Sequence, residues 1–326
     1  MILDAPIKLV SGGRVWEPKN YSGGGAGPST LRLGVERSRN LMTVRLAKDM
    51  GMRLVAEYAE QFGIYDKMLP VLAMSLGSGE TTVLRMVSGF SVLANGGRQI
   101  TPSLIDRVQD RYGKTIYKQD SRLCEGCNST RWLNQEEPEL IDTRDQILDP
   151  MTAYQITSMM EGVVQRGTAT KLRALERPIA GKTGTTNDEK DAWFVGYTPN
   201  LVTGVYVGFD KPTPMGRGST GGELAAPIFQ EFMSAALDNV KPTKFKVPEG
   251  MSLIKINRKT GMRATDEGAG DLIVEAFKPG TGPADSYFVI GAEFALSETP
   301  EEALERQLKI SPKAQQAVQT NQGGLF

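Results

Sequence analysis

The sequence contains no histidine among its 326 residues. This absence excludes Ser-His-Asp triads, Cys-His pairs and metal sites built on imidazole ligands. A nucleophile in this chain must therefore be activated by another group. Lysine is the main remaining side chain that a protein can tune into a base.

Cysteine is nearly absent as well, since only Cys124 and Cys127 occur, in the segment "CEGC". Structural zinc wants about four Cys or His ligands, and a thioredoxin-like motif should open a helix after a strand. This pair instead lies in the polar segment "DSRLCEGCNSTR". A local disulfide, which would need an oxidising compartment, two free thiols, and a metal or redox pair remain as alternatives.

The chain also lacks charge of one sign and long apolar runs. Lys+Arg and Asp+Glu both number 38, so the formal net charge is zero. A nucleic-acid partner is not expected, because nothing supplies a one-sided basic field. No stretch approaches the ~20 apolar residues of a membrane span, and the N-terminus has no signal-peptide pattern. It reads like the inside of a β-rich domain.

Apolar spacing predicts the main elements. From Thr30 the residues Leu31, Val35, Met42 and Leu46 lie on one helical face, with Ser38 as the polar exception. Further helices are predicted in "RLVAEYAEQFG", after a cap at Glu80 or Thr81, and in "LAAPIFQEFMSAAL". Another helix is predicted to begin at Pro150, with Asp149 as its N-cap, and to end at Gly167. "DAWFVGYTPNLVTGVYVGF" predicts a hairpin, with a strand carrying Lys182 before it.

Two Lys-Thr-Gly triplets occur, at residues 182–184 and 259–261. The first is not the end of a phosphate-binding loop, because Glu176 holds the first glycine position and turns and strands follow the lysine. Lys259 is predicted to lie in a surface turn beyond a proline-spaced linker.

The first triplet is suited to binding an anionic substrate beside a strand. Lys182 supplies a fixed positive charge that favours deprotonation of a nearby hydroxyl. Thr183 offers a hydroxyl to the same anion. Gly184 leaves space for an extended peptide along the strand edge.

Together, "AGKTGTTNDEKDAWFVGYTPNLVTGVYVGFD", "SRN", "SLGSGETT" and "MMEGVVQRGTA" resemble the transpeptidase domain of the class A penicillin-binding proteins, in particular the 1A type of Gram-negative bacteria. The likeness covers roughly residues 1–240. That family has three signatures, Ser-x-x-Lys, Ser-x-Asn and Lys-Thr-Gly. Ser38-Arg39-Asn40 fits the second and residues 182–184 fit the third.

The Ser-x-x-Lys nucleophile pair is predicted to be absent from this chain. Relatives carry it ahead of Ser-x-Asn, on a helix that would precede Met1. The chain is therefore expected to be a C-terminal fragment or the product of a late start. By resemblance, the remainder would hold a membrane anchor and a glycosyltransferase domain.

The resemblance implies acyl transfer from D-Ala-D-Ala stem peptides, which cross-links the bacterial cell wall on the periplasmic side of the inner membrane. Ser38 would relay a proton to the leaving amine, and Asn40 would hydrogen-bond the substrate amide. Lys182 would tune the field at Ser38, while Thr183 and Thr185, beside Gly184, would bind the terminal carboxylate. Stem peptides, lipid II-derived glycan strands and β-lactams are the implied partners. No cofactor or metal is implied.

Helix geometry adds a prediction of its own. On one unbroken helix Ser38 and Asn40 would point ~200° apart, at ~100° per residue, and could not face one cleft. We therefore expect a break at residues 38–40, with Asn40 capping a second helix.

The expected fold is α/β (α+β): an antiparallel sheet flanked by helices, plus a helical lobe, as in penicillin-binding and β-lactamase-like transpeptidases. Residues 1–240 would form the transpeptidase domain, 241–310 a small β-containing region and 311–326 a disordered tail. This chain alone is predicted to be inactive. The alternatives are a D,D-carboxypeptidase or serine β-lactamase relative, and a non-catalytic fragment that binds wall peptides or proteins.

Overall fold

A computed structural model describes residues 1–11, 14–120, 122–124, 127, 131, 133–134, 138, 140–264, 271–283, 286 and 288–292. Within these residues the α-helices are α1 (Leu31–Glu36), α2 (Asn40–Met50), α3 (Met52–Gln61), α4 (Val83–Ala94), α5 (Pro150–Arg166) and α6 (Ala226–Ala236). A single π turn, Gly221–Ala225, leads into α6.

The described strands pair only antiparallel to one another and are mostly short hairpins. They are β1 (Ile2–Asp4), β2 (Leu9–Ser11), β3 (Arg14–Trp16), β4 (Gly27–Ser29), β5 (Arg107–Gln109), β6 (Thr115–Lys118), β7 (Leu123–Cys124), β8 (Leu140–Ile141), β9 (Ala180–Thr185), β10 (Asp191–Tyr197), β11 (Val202–Gly208), β12 (Ser252–Asn257) and β13 (Leu272–Phe277).

The central sheet has three described strands in the order β11-β10-β9, so β9 forms an edge of it. Side chains alternate between the two faces of β10. On one face Phe194 stacks edge-to-face on Phe229 of α6, with ring centroids 4.7 Å apart. On the other, the buried Tyr197 meets Phe90 of α4 at 6.4 Å and shares a cluster with Met160 of α5. Helices thus cover both faces, as predicted.

The N-terminal helices form the predicted helical lobe beside the sheet. The inner side of α2 buries Leu41 and Val44 against Ile7 and Leu9 of the N-terminal segment. Further along, α2 and α3 share a second cluster with Ala47 and Met52 at its centre. The lobe therefore holds the start of α2 firmly against the N-terminal strands.

The capping predictions succeed for α5 and miss by one residue for α4. The Asp149 carboxylate accepts from the Thr152 amide at 2.9 Å, Pro150 opens α5 and Gly167 ends it. In α4 the cap is Thr82, rather than Thr81 or Glu80. The Thr81 hydroxyl is already used, because it donates to the Ile64 carbonyl.

Cys124 and Cys127 form a disulfide with Cα atoms 5.7 Å apart, which selects the first of the three alternatives. Beyond α6, β12 and β13 form the hairpin of the predicted C-terminal β segment. The limits at residues 240 and 310 stay predictions, and the predicted disordered tail lies outside the described residues. No helix in the described part of the chain is long and apolar enough to cross a membrane.

Candidate active site

The lysine of the first Lys-Thr-Gly triplet reaches from the edge strand β9 to the helical lobe. Its ammonium Nζ donates to Ser38 Oγ at 2.6 Å and to the Thr183 carbonyl at 3.0 Å. Lys182 makes no ion pair with any described carboxylate. Burial lowers the pKa of Lys182 to about 8 from an ordinary value of 10.5, because the charged form is the one that loses hydration.

Ser38 occupies a sharp turn between two helices, which confirms the predicted break. The helix α1 ends at Glu36 and α2 begins at Asn40. Ser38 itself has φ 52°, in the left-handed region that non-glycine residues rarely adopt. The Arg39 amide donates back to the Gly34 carbonyl at 2.9 Å and closes the turn. The strained backbone aims the hydroxyl away from the α1 axis and toward β9.

The prediction that Asn40 caps the second helix is wrong. Arg39 is the cap residue of α2, and Asn40 is already its first helical residue. The reason lies in a contact distant in sequence: Arg39 has extended backbone angles, and its guanidinium is tied to Asp4 at 2.6 Å. The Asn40 amide Nδ2 donates to the Lys19 carbonyl at 2.9 Å. The structure therefore joins Ser38 directly to Lys182 but gives the Asn40 carboxamide a different partner.

Two further hydroxyls line β9 beside the lysine. Thr183 Oγ1 lies 2.7 Å from Thr168 Oγ1. Thr185 Oγ1 accepts from the Gly221 amide at 3.0 Å. Sequence reasoning missed Thr168, although it lies in the quoted "RGTA" that follows α5. Hydroxyls of Thr168, Thr183 and Thr185 thus lie at this strand, and such hydroxyl donors suit a carboxylate.

Glycine is required where the π turn approaches β9. A Cβ on Gly221 would lie 2.2 Å from the Trp193 carbonyl oxygen and 2.6 Å from that of Gly184. A Cβ on Gly184 would sit 3.1 Å from the Trp193 Cβ. Sequence reasoning identified Gly184 and missed Gly221, whose signal was only the glycine pair before α6.

The sequence does hold one Ser-x-x-Lys spacing, Ser252 to Lys255, which corrects the prediction that the pattern is absent. It lies in β12. Residues three apart in a strand point to opposite faces, whereas in a helix they share one. Ser252 and Lys255 therefore cannot act as a serine and its base. No such spacing precedes Ser38 in the sequence.

The second triplet lies in a turn, as predicted. Lys259 is exposed, and its amide donates to Asn257 Oδ1 at 2.9 Å. Among the described residues no three His, Cys, Asp or Glu side chains gather as a metal site would require.

Comparisons with known proteins show which family the chain belongs to. A family model described as the penicillin binding protein transpeptidase domain matches residues 3–234. Penicillin-binding protein 1A of Rickettsia bellii (strain RML369-C) is 43% identical over 279 residues, covering 84% of this chain and 35% of the relative. The protein of that name from Neisseria gonorrhoeae is 41% identical over 256 residues, covering 77% of this chain and 30% of the relative. The chain thus spans about a third of the length of these curated relatives.

Solved structures show the same fold. The 2.6 Å crystal structure of Penicillin-Binding Protein 1A from Haemophilus influenzae matches with a TM-score of 0.75 and 30% identity, covering 88% of this chain and 45% of that one. The PonA1 protein from Mycobacterium tuberculosis in complex with penicillin V matches with a TM-score of 0.59 and 26% identity, covering 75% and 65%. These matches confirm the predicted fold.

Proposed function

Because the chain belongs to the penicillin-binding protein transpeptidase family, we propose that it supplies the Ser-x-Asn and Lys-Thr-Gly parts of a peptidoglycan D,D-transpeptidase. The observation that carries this proposal is the 2.6 Å hydrogen bond from Lys182 Nζ to Ser38 Oγ. It joins the two signatures across 144 residues of sequence.

In the proposed reaction the serine hydroxyl of a Ser-x-x-Lys pair passes its proton to that lysine and attacks the carbonyl carbon between the two D-Ala residues of a stem peptide. The bond to the terminal D-Ala nitrogen breaks, and that amine leaves with a proton relayed through the Ser38 hydroxyl from Lys182. The amine of a neighbouring stem peptide then attacks the ester and returns a proton through Ser38 to Lys182, and the released serine takes its proton back from its own lysine. With a pKa of about 8, Lys182 can exchange a proton near neutral pH.

The hydroxyls beside Lys182 fit the other end of the substrate. We place the terminal carboxylate against Thr183 and Thr185, with Thr168 orienting the Thr183 hydroxyl through their 2.7 Å contact. The Asn40 amide would have to leave the Lys19 carbonyl to reach a substrate amide. β-Lactams would enter the same cleft as mimics of the dipeptide.

The setting of this reaction follows the family and one chemical feature. The disulfide between Cys124 and Cys127 fits an oxidising compartment. We therefore propose a location on the periplasmic side of the inner membrane. By the family resemblance, other parts of a full-length protein would provide the membrane anchor and act on lipid II-derived glycan strands.

The chain itself is proposed to form no acyl-enzyme, because its one Ser-x-x-Lys lies in a strand. Incubation with fluorescent penicillin, followed by denaturing electrophoresis, should give no covalent band. A band lost in Ser38→Ala would make Ser38 the nucleophile. A band lost in Ser252→Ala would assign that role to β12. Either result would overturn the proposal that this chain forms no acyl-enzyme.

The reading frame upstream of the Met1 codon tests the proposed activity. An in-frame Ser-x-x-Lys should be found there, and the extended protein should react with fluorescent penicillin in a way that Lys182→Ala abolishes. A product assay for cross-linked against trimmed peptides then separates a transpeptidase from a D,D-carboxypeptidase. If no such pair exists upstream, the non-catalytic wall-peptide-binding alternative is favoured.

A further inference from the structure

A buried cluster of charges lies directly before the Ser38 turn. At its centre is Glu36, the last residue of α1, whose side chain is fully buried. Its Oε1 accepts from Arg166 at the end of α5 at 2.8 Å, and its Oε2 accepts from Arg258 at 2.6 Å. A fully buried carboxylate needs such partners, because losing hydration without them is costly.

Arg258 belongs to the C-terminal hairpin of β12 and β13. It follows β12 directly, and its guanidinium also binds Asp271, the residue before β13. The same residue fastens the other end of α1, because the hydroxyl of Thr30, the α1 cap, donates to the Arg258 carbonyl at 3.0 Å. One residue of the hairpin thus contacts both ends of α1.

A second arginine repeats the link from the helix side. Arg32 of α1 is 4% exposed and binds both carboxylate oxygens of Glu275 in β13 at 2.5 Å. It also donates to the Ser158 carbonyl of α5 at 2.9 Å. Fork-to-carboxylate pairing of this kind fixes direction as well as distance. The hairpin, α1 and α5 are therefore held in one geometry.

The packing leaves Glu36 little room to move. A Cβ on Gly162 of α5 would lie 2.1 Å from Glu36 Oε1, and one on Gly167 would lie 2.2 Å from the Glu36 carbonyl oxygen. With only six residues, α1 is far too short to be stable alone. The orientation of its last turn, and of Ser38 two residues later, must come from these contacts.

We propose that the C-terminal hairpin positions the Ser38 turn against Lys182, with Glu36 and Arg258 as the positioning residues. The importance of this positioning for catalysis rests on the proposed function. The dependence of the Ser38–Lys182 contact on the hairpin does not. Without the Arg258 guanidinium, which binds Glu36 and Asp271 together, α1 can tilt. The Ser38 hydroxyl then leaves Lys182, and water reaches the ammonium.

The test measures the environment of Lys182 in the chain without substrate. Side-chain ¹³Cε signals of ¹³C-labelled lysine are titrated by NMR, with Lys182 assigned by Lys182→Arg. Arg258→Lys keeps the charge and removes the fork. We expect it to raise the Lys182 midpoint by about one pH unit or more, because hydration favours the ammonium.

Lys278→Met provides the matched control. Lys278 follows β13 and ties the same hairpin to Asp149 at 2.9 Å, away from Ser38. It should leave the Lys182 midpoint in place. The proposal is overturned if Arg258→Lys leaves the midpoint unchanged, or if Lys278→Met moves it as far.

A milder variant covers the case in which Arg258→Lys does not fold. Asp271→Asn removes the more exposed partner of Arg258 and should shift the Lys182 midpoint in the same direction by a smaller amount. No shift in a folded Asp271→Asn protein would then count against the proposal. The NMR titration uses no penicillin. Its result therefore stands even if the fluorescent penicillin experiment contradicts the proposed function.

Discussion

Two regions of this molecule, which meet at the Ser38 turn, hold charged groups away from solvent in opposite ways. Around Glu36, buried charges lie in opposite pairs, such as Arg32 with Glu275 and Glu36 with Arg258. Lys182 has only a hydroxyl and a carbonyl as described partners. The first arrangement fixes position, whereas the second lowers the pKa of the ammonium and makes it ready to exchange a proton.

The largest effect is expected when the charge of Glu36, at the centre of the buried cluster, is removed. Glu36→Gln leaves Arg166 and Arg258 facing a neutral amide in a buried site. We expect a loss of about 3–5 kcal/mol in the free energy of unfolding, measured by urea denaturation.

The matched control is Glu223→Gln. It removes an exposed pair with Lys171 and should cost less than about 1 kcal/mol. Similar losses for the two variants would show that the Glu36 cluster is no different from a surface ion pair.

A second variant sharpens the comparison through pH. Burial raises the pKa of Glu161, in α5 beside the cluster, to about 7 from 4.5, although Arg32 and Arg166 oppose the shift. Between those pH values the folded protein keeps a proton that the unfolded chain has lost. Stability should therefore fall as pH rises from 4.5 to about 7.

Glu161→Gln should remove most of that fall and stabilise the protein at pH 8 by about 2–3 kcal/mol, followed as Tm against pH. The same substitution at the exposed Glu231 of α6 should reproduce the parent profile. If the Tm of Glu161→Gln follows the same pH dependence as that of the parent, Glu161 is not the group whose raised pKa causes the fall in stability.

The fit around Glu36 is tested by adding a single methyl group. Gly162→Ala places a Cβ against Glu36 Oε1 and should destabilise by about 1–3 kcal/mol. In Gly34→Ala the atoms nearest the new Cβ are the Cε and Sδ at the flexible end of Met42, at 3.0 and 3.3 Å. That helix variant should be neutral or slightly stabilising, because alanine is the better helix former. Equal unfolding midpoints for the two variants would argue against tight packing at Glu36.

The smallest effect concerns the backbone of Ser38. Since its φ is 52°, Ser38→Gly relieves strain that Ser38→Ala retains. We expect the glycine variant to be more stable than the alanine variant by about 1 kcal/mol in thermal denaturation. The reverse order would mean that the left-handed turn is not maintained in solution.

The sequence predicted the two regions unequally. The Lys182 strand, the hairpin after it and the break near Ser38 were all found, because local patterns and one steric argument carry them. The buried cluster was missed. Apolar spacing placed Leu31, Val35 and Ser38 on one inner face, whereas the structure buries Arg32 and Glu36 on α1.

That miss has a physical cause. An arginine and a glutamate four residues apart are typical of an exposed helix face. Their burial depends on partners that are distant in sequence, including Arg258 and Glu275 more than 200 residues later. For the same reason the Asn40 cap was placed one residue late, since Asp4 holds Arg39 through a contact that no local pattern reveals.

We conclude that Lys182 is a half-buried ammonium, without a carboxylate partner among the described residues, held against the Ser38 hydroxyl. An NMR titration of the Lys182 side chain in the unmodified protein tests it most directly. We expect a midpoint of about 8, which rises in Ser38→Asp because the new carboxylate favours the charged form. A midpoint at the ordinary 10.5, unchanged in that variant, would contradict it.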